Sequence, residues 1–325
     1  MIEVQNLTKT FKIAQKEKGF WGSVKGLFKR KYLTKNALDD VSFTINEGEI
    51  VGYLGPNGAG KSTTIKIMCG ILTPTSGDCK INGFTPWKDR EKYVKDIGVV
   101  FGQRSQLWWD VPVIDSFYLI KDIYKIPNDK FETQLKILSE KLELEPLLNV
   151  PLRQLSLGQK MKCELAGSLL HNPKILFLDE PTIGLDAISK LKVREFIKEI
   201  NKEFGITVIL TTHDMNDIEA LTNKIIIIGK GKLLYNGSFD QIKHKYSNFR
   251  TIEIEFEEDY GEVEIENCEF VSKLDKKYTF KTNNTDFKLT DFVNMLSEKY
   301  KIYDINIEPI NLEEVISKLY EELGL

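Results

Sequence analysis

Cysteine is scarce here: the 325-residue chain holds four, Cys69, Cys79, Cys163 and Cys268. Their spacings form neither a zinc pattern nor a disulfide framework, so the reduced thiols of a cytosolic protein are expected. Long hydrophobic runs are missing too. No window approaches the roughly 20 apolar residues that a bilayer span requires, and the longest purely aliphatic run is Ile225–Ile228. The opening MIEVQNLTKTF lacks the continuous apolar stretch of a signal peptide. A membrane role would therefore have to be exercised through a partner. An excess of one charge is also absent, since Lys+Arg 45 against Asp+Glu 48 leaves a net −3. That argues against a surface built throughout for nucleic acid. There is no internal repeat and no long low-complexity segment.

What is present suits a folded protein. The hydrophobic fraction of 42% and the charged fraction of 29% exclude disorder as the main description. The length suggests about two domains. Short aliphatic segments bounded by turn residues recur: EIVGYL (49–54), KDIGVVF (95–101), KILFLD (174–179), ITVILTT (206–212) and KIIIIG (224–229). Strands apolar on both faces, alternating with amphipathic helices, indicate a parallel sheet in an α/β core. Residues 1–11 and VSFTI (41–45) read as further strands. From about 115 to 148, apolar residues recur at three and four, which points to an inserted helical subdomain. Past about residue 245, TIEIEFE, KYTFKT and YDINIEP alternate as strands, with helices near 289–300 and 312–323. A small α+β domain is expected there.

The strongest motif is Gly55-Pro56-Asn57-Gly58-Ala59-Gly60-Lys61-Ser62-Thr63, with a strand before it and a helix after it. Its glycines allow the backbone to curl so that successive N–H groups face phosphate oxygens, and the helix N-terminus adds its dipole. Lys61 would bridge the β and γ phosphates, Ser62 would ligate Mg²⁺, and Thr63 would bond a phosphate oxygen. The second motif is Ile175-Leu176-Phe177-Leu178-Asp179-Glu180. An acid ending a buried strand beside a phosphate loop suits Mg²⁺ through water, which is the role expected of Asp179. The next acid, Glu180, is placed to orient or deprotonate the attacking water.

With these two motifs, Leu155-Ser156-Leu157-Gly158-Gln159 resembles the signature motif of ABC-transporter ATPase subunits. Other elements of that family follow in order. Gln103, after KDIGVVF, is similar to the Q-loop glutamine, a sensor and metal ligand. Leu185-Asp186 resembles the D-loop, and His213 in LTTHD the switch histidine. Phe11 resembles the aromatic that stacks on adenine. The likeness covers about residues 1–240. It implies a P-loop NTPase core of ABC type with an antiparallel β-subdomain, a helical subdomain at about 104–168 and an insert at 12–36. Residues 245–325 would then form the accessory α+β domain. It also implies two subunits packed head to tail around two ATP molecules. In that arrangement Ser156, Gly158 (expected to open a helix) and Gln159 would bind the nucleotide held by the partner's loop. Asp186 would couple the two sites, and His213 would bond the γ-phosphate and position water. His171 and His244 are expected at the surface. Two positions depart from the family pattern. Leu157 stands where glycine is common, and Phe11 replaces the commoner tyrosine.

The tract FGQRSQLWWDVPVIDSF (101–117), the signature region and the tail look like the ATPase subunits of ABC-2-type exporters. That resemblance implies an ATP-hydrolysing subunit, peripheral at the cytoplasmic face of the membrane, that powers a separate permease. A soluble non-transport ABC ATPase and an ATP-dependent regulatory protein are the competing readings. Trp108 and Trp109 are either a docking surface for the permease or anchors of the subdomain's own core. In the insert, Phe20, Trp21, Val24, Leu27 and Phe28 fall at helical spacing among Lys25, Lys29, Arg30 and Lys31. Such a helix could lie on an anionic membrane, dock on the permease or pack on its own subunit. The acidic segment 251–267 could be a dimer contact, a regulatory surface or a solvated face.

Overall fold

A computed structural model of the chain describes residues 1–14, 32–102, 104–245, 250–282, 288–309 and 312–322. They divide into two compact units, Met1–Gly237 and Ser238–Leu325. In the first unit, β1 (Ile2–Ala14) and β2 (Tyr32–Ile45) form a long antiparallel hairpin whose register runs from Ile2↔Ile45 to Ala14↔Tyr32. β3 (Ile50–Leu54) then enters a second sheet, and β4 (Ser76–Ile81) returns to pair with β1, giving the order β2-β1-β4. Alternate residues of this small sheet are buried: Ile2, Val4, Val41, Phe43, Ile45, Cys79 and Ile81. The hairpin extends further than its apolar pattern shows. Lys12, expected to begin an insert, pairs with Thr34, and 32–36 are exposed. Backbone ladder bonds hold these arms, and such bonds carry no hydrophobic signature. The amphipathic stretch Phe20–Phe28 lies outside the described residues.

The second sheet is the core of the unit. Its order is β5-β6-β7-β3-β8-β9, with β5 (Ile97–Phe101), β6 (Ile175–Asp179), β7 (Thr207–Thr211), β8 (Lys224–Gly229) and β9 (Lys232–Ser238). The pairs β5–β6, β6–β7, β7–β3 and β3–β8 are all parallel. Val51, Tyr53, Phe177, Val208–Leu210 and Ile225–Ile228 are buried, as strands covered on both faces require. The helices of seven residues or more are α1 (Lys61–Met68), α2 (Val113–Tyr124), α3 (Asn128–Leu142), α4 (Leu157–Leu169), α5 (Ala187–Phe204) and α6 (Met215–Leu221). The helices α2 to α4 form the helical subdomain. Pro112 and Pro127 precede α2 and α3, and each helix ends on a left-handed residue, Lys125 and Glu143. This is the P-loop α/β core with an antiparallel sheet and a helical subdomain that the motifs imply.

The Ser238–Leu325 unit contains α7 (Phe239–Lys245), β10 (Arg250–Phe256), β11 (Cys268–Leu274), β12 (Lys277–Thr282), α8 (Leu289–Lys299), β13 (Ile302–Pro309) and α9 (Leu312–Glu322). Its antiparallel sheet has the order β11-β12-β10-β13, and Ile252, Ile254, Phe256, Tyr278 and Phe280 pack on Phe292 and Leu296 of α8. The edge strand β11 has no counterpart in the sequence reading. Its residues are almost all exposed, so it lacks alternation, and a bulge after Phe270 twists the open edge.

One expectation changes here, and one open alternative closes. His171 is half-buried rather than an exposed surface residue. Its ring stacks on Tyr124 at 4.0 Å, Nε2 lies 2.8 Å from the Ile97 carbonyl oxygen, and burial lowers its pKa. The His244 side chain lies outside the description. Trp108 and Trp109 are 59% and 54% exposed, so they do not anchor the subdomain core. Lys160 Nζ stands 4.5 Å from the Trp109 ring centroid. All four cysteines are free thiols, and burial pushes Cys79 and Cys163 up to about 12. Among the described residues, no helix is long and apolar enough to cross a membrane.

Candidate active site

The parallel register sets the site. Leu178 pairs with Leu210, Asp179 with Thr211, and Gly52 also with Leu210, so β6, β7 and β3 end along one edge of the sheet. The residues that follow these strands are the phosphate loop, Glu180 and His213. A doubly covered parallel sheet presents its ligand groups at that edge.

The loop is shaped by close backbone approaches. Gly60 caps α1 with φ 112, and a Cβ there would lie 2.6 Å from the Ala37 carbonyl oxygen. A Cβ on Gly55 would lie 2.5 Å from the Ile228 carbonyl oxygen. Ala59 N–H donates to Pro56 O at 3.1 Å, and Gly231 N–H donates to Ala59 O at 2.9 Å. Beneath the loop, the Tyr53 hydroxyl donates to Thr64 Oγ1 at 3.0 Å, and Thr64 in turn donates to Gly60 O at 3.2 Å. Ser62 is exposed and Thr63 half-buried on the first turn of α1, where N–H groups have no carbonyl four residues back. Gly60→Ala is expected to destabilise the chain by about 1–3 kcal/mol, from the strained φ and the clash. A urea midpoint equal to that of wild type would show that the loop has room to spare.

Lys61 reaches back over the loop, its Nζ donating to Gly55 O at 2.5 Å and to Pro56 O at 3.3 Å. Burial lowers its pKa, while the charges of Glu180 and Asp179 act in the opposite direction. Asp179 accepts a hydrogen bond on Oδ1 from the Thr211 hydroxyl at 2.5 Å. Glu180 has φ 58, a left-handed conformation unusual for a residue with a side chain. Its N–H donates to Thr211 O at 2.9 Å, and its Oε2 lies 2.5 Å from His213 Nδ1. The His213 side chain is 70% exposed and that of Glu180 23%. Strain of this kind concentrates at functional positions.

Gly102 escapes the motif reading. A Cβ on it would lie 2.4 Å from Glu180 O and 2.9 Å from Asp179 O, and its N–H donates to Asp179 O at 2.7 Å. Only glycine lets the chain entering the Gln103 loop lie against the two acids. Its position directly before Gln103 was the available signal. Gln103 itself lies outside the described residues.

The signature residues form a second group. Helix α4 opens at Leu157, with Gly158 its second residue rather than its first. Ser156 is the N-cap, and its side chain and that of Gln159 complete a capping box at 3.3 and 2.8 Å. A Cβ on Gly158 would lie 2.6 Å from Ser189 Oγ. Asp186 caps α5, accepting from Ser189 N–H at 3.0 Å and from the Ser189 hydroxyl at 2.7 Å, and these bonds hold its pKa down. Among the described residues, no hydrogen bond or ion pair directly joins Ser156, Gln159 or Asp186 to Lys61, Asp179, Glu180 or His213. Phe11 is half-exposed on β1, with Lys9 Nζ 5.2 Å from its ring centroid.

The first group can grip a polyphosphate with N–H groups and Lys61. It offers hard oxygen ligands, the Ser62 hydroxyl and the Asp179 carboxylate, which fit a small divalent cation. It also sets a carboxylate–imidazole pair beside them.

Residues 38–183 match the family described as ABC transporter. The chain is 37% identical over 227 residues to ABC transporter A family member 8 of Dictyostelium discoideum, a match covering 70% of this chain. It spans only 27% of that relative's length. It is 34% identical over 216 residues to the uncharacterized ABC transporter ATP-binding protein YhcH of Bacillus subtilis (strain 168), covering 65% of this chain and 70% of YhcH. Among solved structures, it resembles the dimeric post-hydrolysis state of the ATP-binding cassette MJ0796 bound to ADP and Pi. That likeness has a TM-score of 0.61 and 29% identity, over 73% of this chain and 98% of the other.

Proposed function

The chain belongs to the ABC transporter ATP-binding proteins, an ATPase cassette, and from that premise we propose that it is the ATP-hydrolysing subunit of an ABC-2-type export system. In this reading it drives a separate membrane permease from the cytoplasmic face. Residues 1–240 form the catalytic domain and 245–325 an accessory domain. The observation that carries hydrolysis is the Glu180–His213 pair, 2.5 Å apart, at the same sheet edge as Lys61 and Asp179.

ATP sits with its phosphates on the loop Gly55–Thr63 and its adenine against Phe11. Lys61 neutralises the β and γ phosphates. Ser62 and Asp179, with Gln103, would hold Mg²⁺, which supplies charge neutralisation on the phosphates. Glu180 accepts the proton of the attacking water, and His213 orients Glu180 and bonds the γ-phosphate. Ser156, Gly158 and Gln159 of a second copy close over the same nucleotide, and Asp186 joins the two sites. The closest support for a dimer is the likeness to MJ0796, whose structure is dimeric.

Trp108 and Trp109 receive the permease. Two exposed indoles side by side, one with a lysine over its face, make an apolar patch of the kind that binds a protein partner. Phosphate release by the purified chain tests the ATPase reading, and retention of the chain on membranes that hold its permease tests docking. Replacing both tryptophans by alanine is expected to change stability by no more than about 1 kcal/mol, because neither ring is buried. The same variant is expected to lose membrane retention while hydrolysing ATP at the wild-type rate. Full retention by the double variant would move the docking surface elsewhere.

A further inference from the structure

The hydrolytic pair has a weakness that its geometry exposes. His213 is 70% exposed, and its one hydrogen bond among the described residues is to Glu180. With most of the ring in the open, its position depends on the backbone on either side, Thr212 and Asp214. Glu180, on the other strand end, is held in a left-handed conformation and needs its own constraint.

Both constraints meet at Asp217. This carboxylate is fully buried in α6. Its Oδ2 accepts from the Thr212 hydroxyl at 3.1 Å and from the Thr182 hydroxyl. Its Oδ1 accepts from Arg194 Nε at 2.6 Å, and a second guanidinium nitrogen lies 2.5 Å away. Thr212 precedes His213 and is used twice, because its oxygen also accepts from Asp214 N–H at 3.0 Å. Asp214 is in turn gripped by Lys190 Nζ at 2.5 Å, with Arg194 at 3.5 Å. Burial opposes the charge on Asp214, but Lys190, the Asn216 N–H and Arg194 prevail and lower its pKa. Thr182 lies two residues after Glu180, and Lys190 and Arg194 stand one turn apart on the helix that Asp186 caps. One buried acid therefore ties the residues flanking His213, the loop leaving Glu180 and the helix leading from Asp186.

A buried ion pair is a poor stabiliser compared with apolar residues of the same volume. What a fully bonded one supplies is a fixed arrangement of the segments that donate to it. The geometry points to Asp217 as a positioning residue for hydrolysis, holding His213 and Glu180 in register with each other and with the Asp186 helix. It touches no substrate and acts through Thr182, Thr212 and Arg194. The inference rests on the ATPase reading above for its kinetic consequence, not for its structural one.

Thr182→Val tests it without disturbing the charge pair, because valine keeps the shape and removes only the hydroxyl. Its kcat is expected to fall about 10- to 100-fold, the range for a lost hydrogen bond to a charged group, with KM for ATP within about twofold of wild type. Thr182→Ser restores the hydroxyl and is expected to recover most of the rate. Asp217→Asn is expected to lower kcat at least as far, and also the melting temperature, since it leaves the Arg194 guanidinium with only the more distant Asp214 carboxylate, at 3.5 Å, as its counter-charge. A second readout needs no turnover. In nucleotide-free protein, the His213 imidazole resonance, identified by its loss in His213→Ala, is expected to shift in Thr182→Val and not in Thr182→Ser. An unmoved resonance in Thr182→Val overturns the positioning role, whatever the ATPase rates. So does wild-type kcat in a Thr182→Val protein whose wild type hydrolyses ATP. A shifted resonance in Thr182→Val, together with a wild type that releases no phosphate, would instead overturn the hydrolysis reading and leave Asp217 as the residue that sets the pair.

Discussion

Glu180→Gln is expected to lower phosphate release by about 10²- to 10⁴-fold, the usual contribution of a positioned general base. The amide has the size of the carboxylate and can still bond His213, whose Nδ1 lies 2.5 Å from Oε2, but it cannot accept a proton at neutral pH. The backbone at residue 180 carries φ 58 whichever side chain is present, so the strained turn survives the substitution. Binding should survive with it, because Lys61 and the loop are untouched. The variant is therefore expected to collect as an ATP-bound dimer, visible as a doubled mass by light scattering when Mg²⁺-ATP is added. Turnover within a few-fold of wild type would remove Glu180 from the role of base.

Lys61→Ala is expected to act earlier, on binding as well as on rate. The ammonium is the donor that closes the loop through Gly55 O and Pro56 O, and it is half-buried beside Glu180 and Asp179. Removing it leaves two acids facing the phosphates without the cation between them. Loss of one preorganised charge-stabilising donor costs about 10²- to 10³-fold in rate. ATP affinity should fall by about 100-fold or more, near 3 kcal/mol. Titration of a fluorescent ATP analogue checks this and separates the two variants: Glu180→Gln keeps the nucleotide and Lys61→Ala loses it. Wild-type affinity in Lys61→Ala would mean that the backbone N–H groups and the helix end suffice.

The parts of this molecule that could be read along the chain are those made by consecutive residues. The strands at 97–101, 175–179, 207–211 and 224–229 are apolar runs bounded by turn residues, and each lies within the segment its pattern marks. The phosphate loop, the Asp179-Glu180 step and the Ser156–Gln159 tract are contiguous as well, so their spacing was visible. The outer arms of the β1–β2 hairpin were not, because Tyr32–Asn36 are exposed and only ladder bonds make them strand. The edge strand β11 was hidden for the same reason.

The composition and order of residues thus determined the class of fold, the loop that receives phosphate and the acids beside it. Hydrophobic period and turn chemistry are local properties, and a family pattern is a local string. Tertiary structure decided the rest. It stacked a half-buried His171 on Tyr124, left Trp108 and Trp109 in the open, required glycine at 102 because the backbone carbonyls of Asp179 and Glu180 lie behind it, and gathered Thr182, Thr212 and Arg194 around Asp217. Each of these depends on what a distant segment places within a few ångströms, and no period along the chain reports that distance.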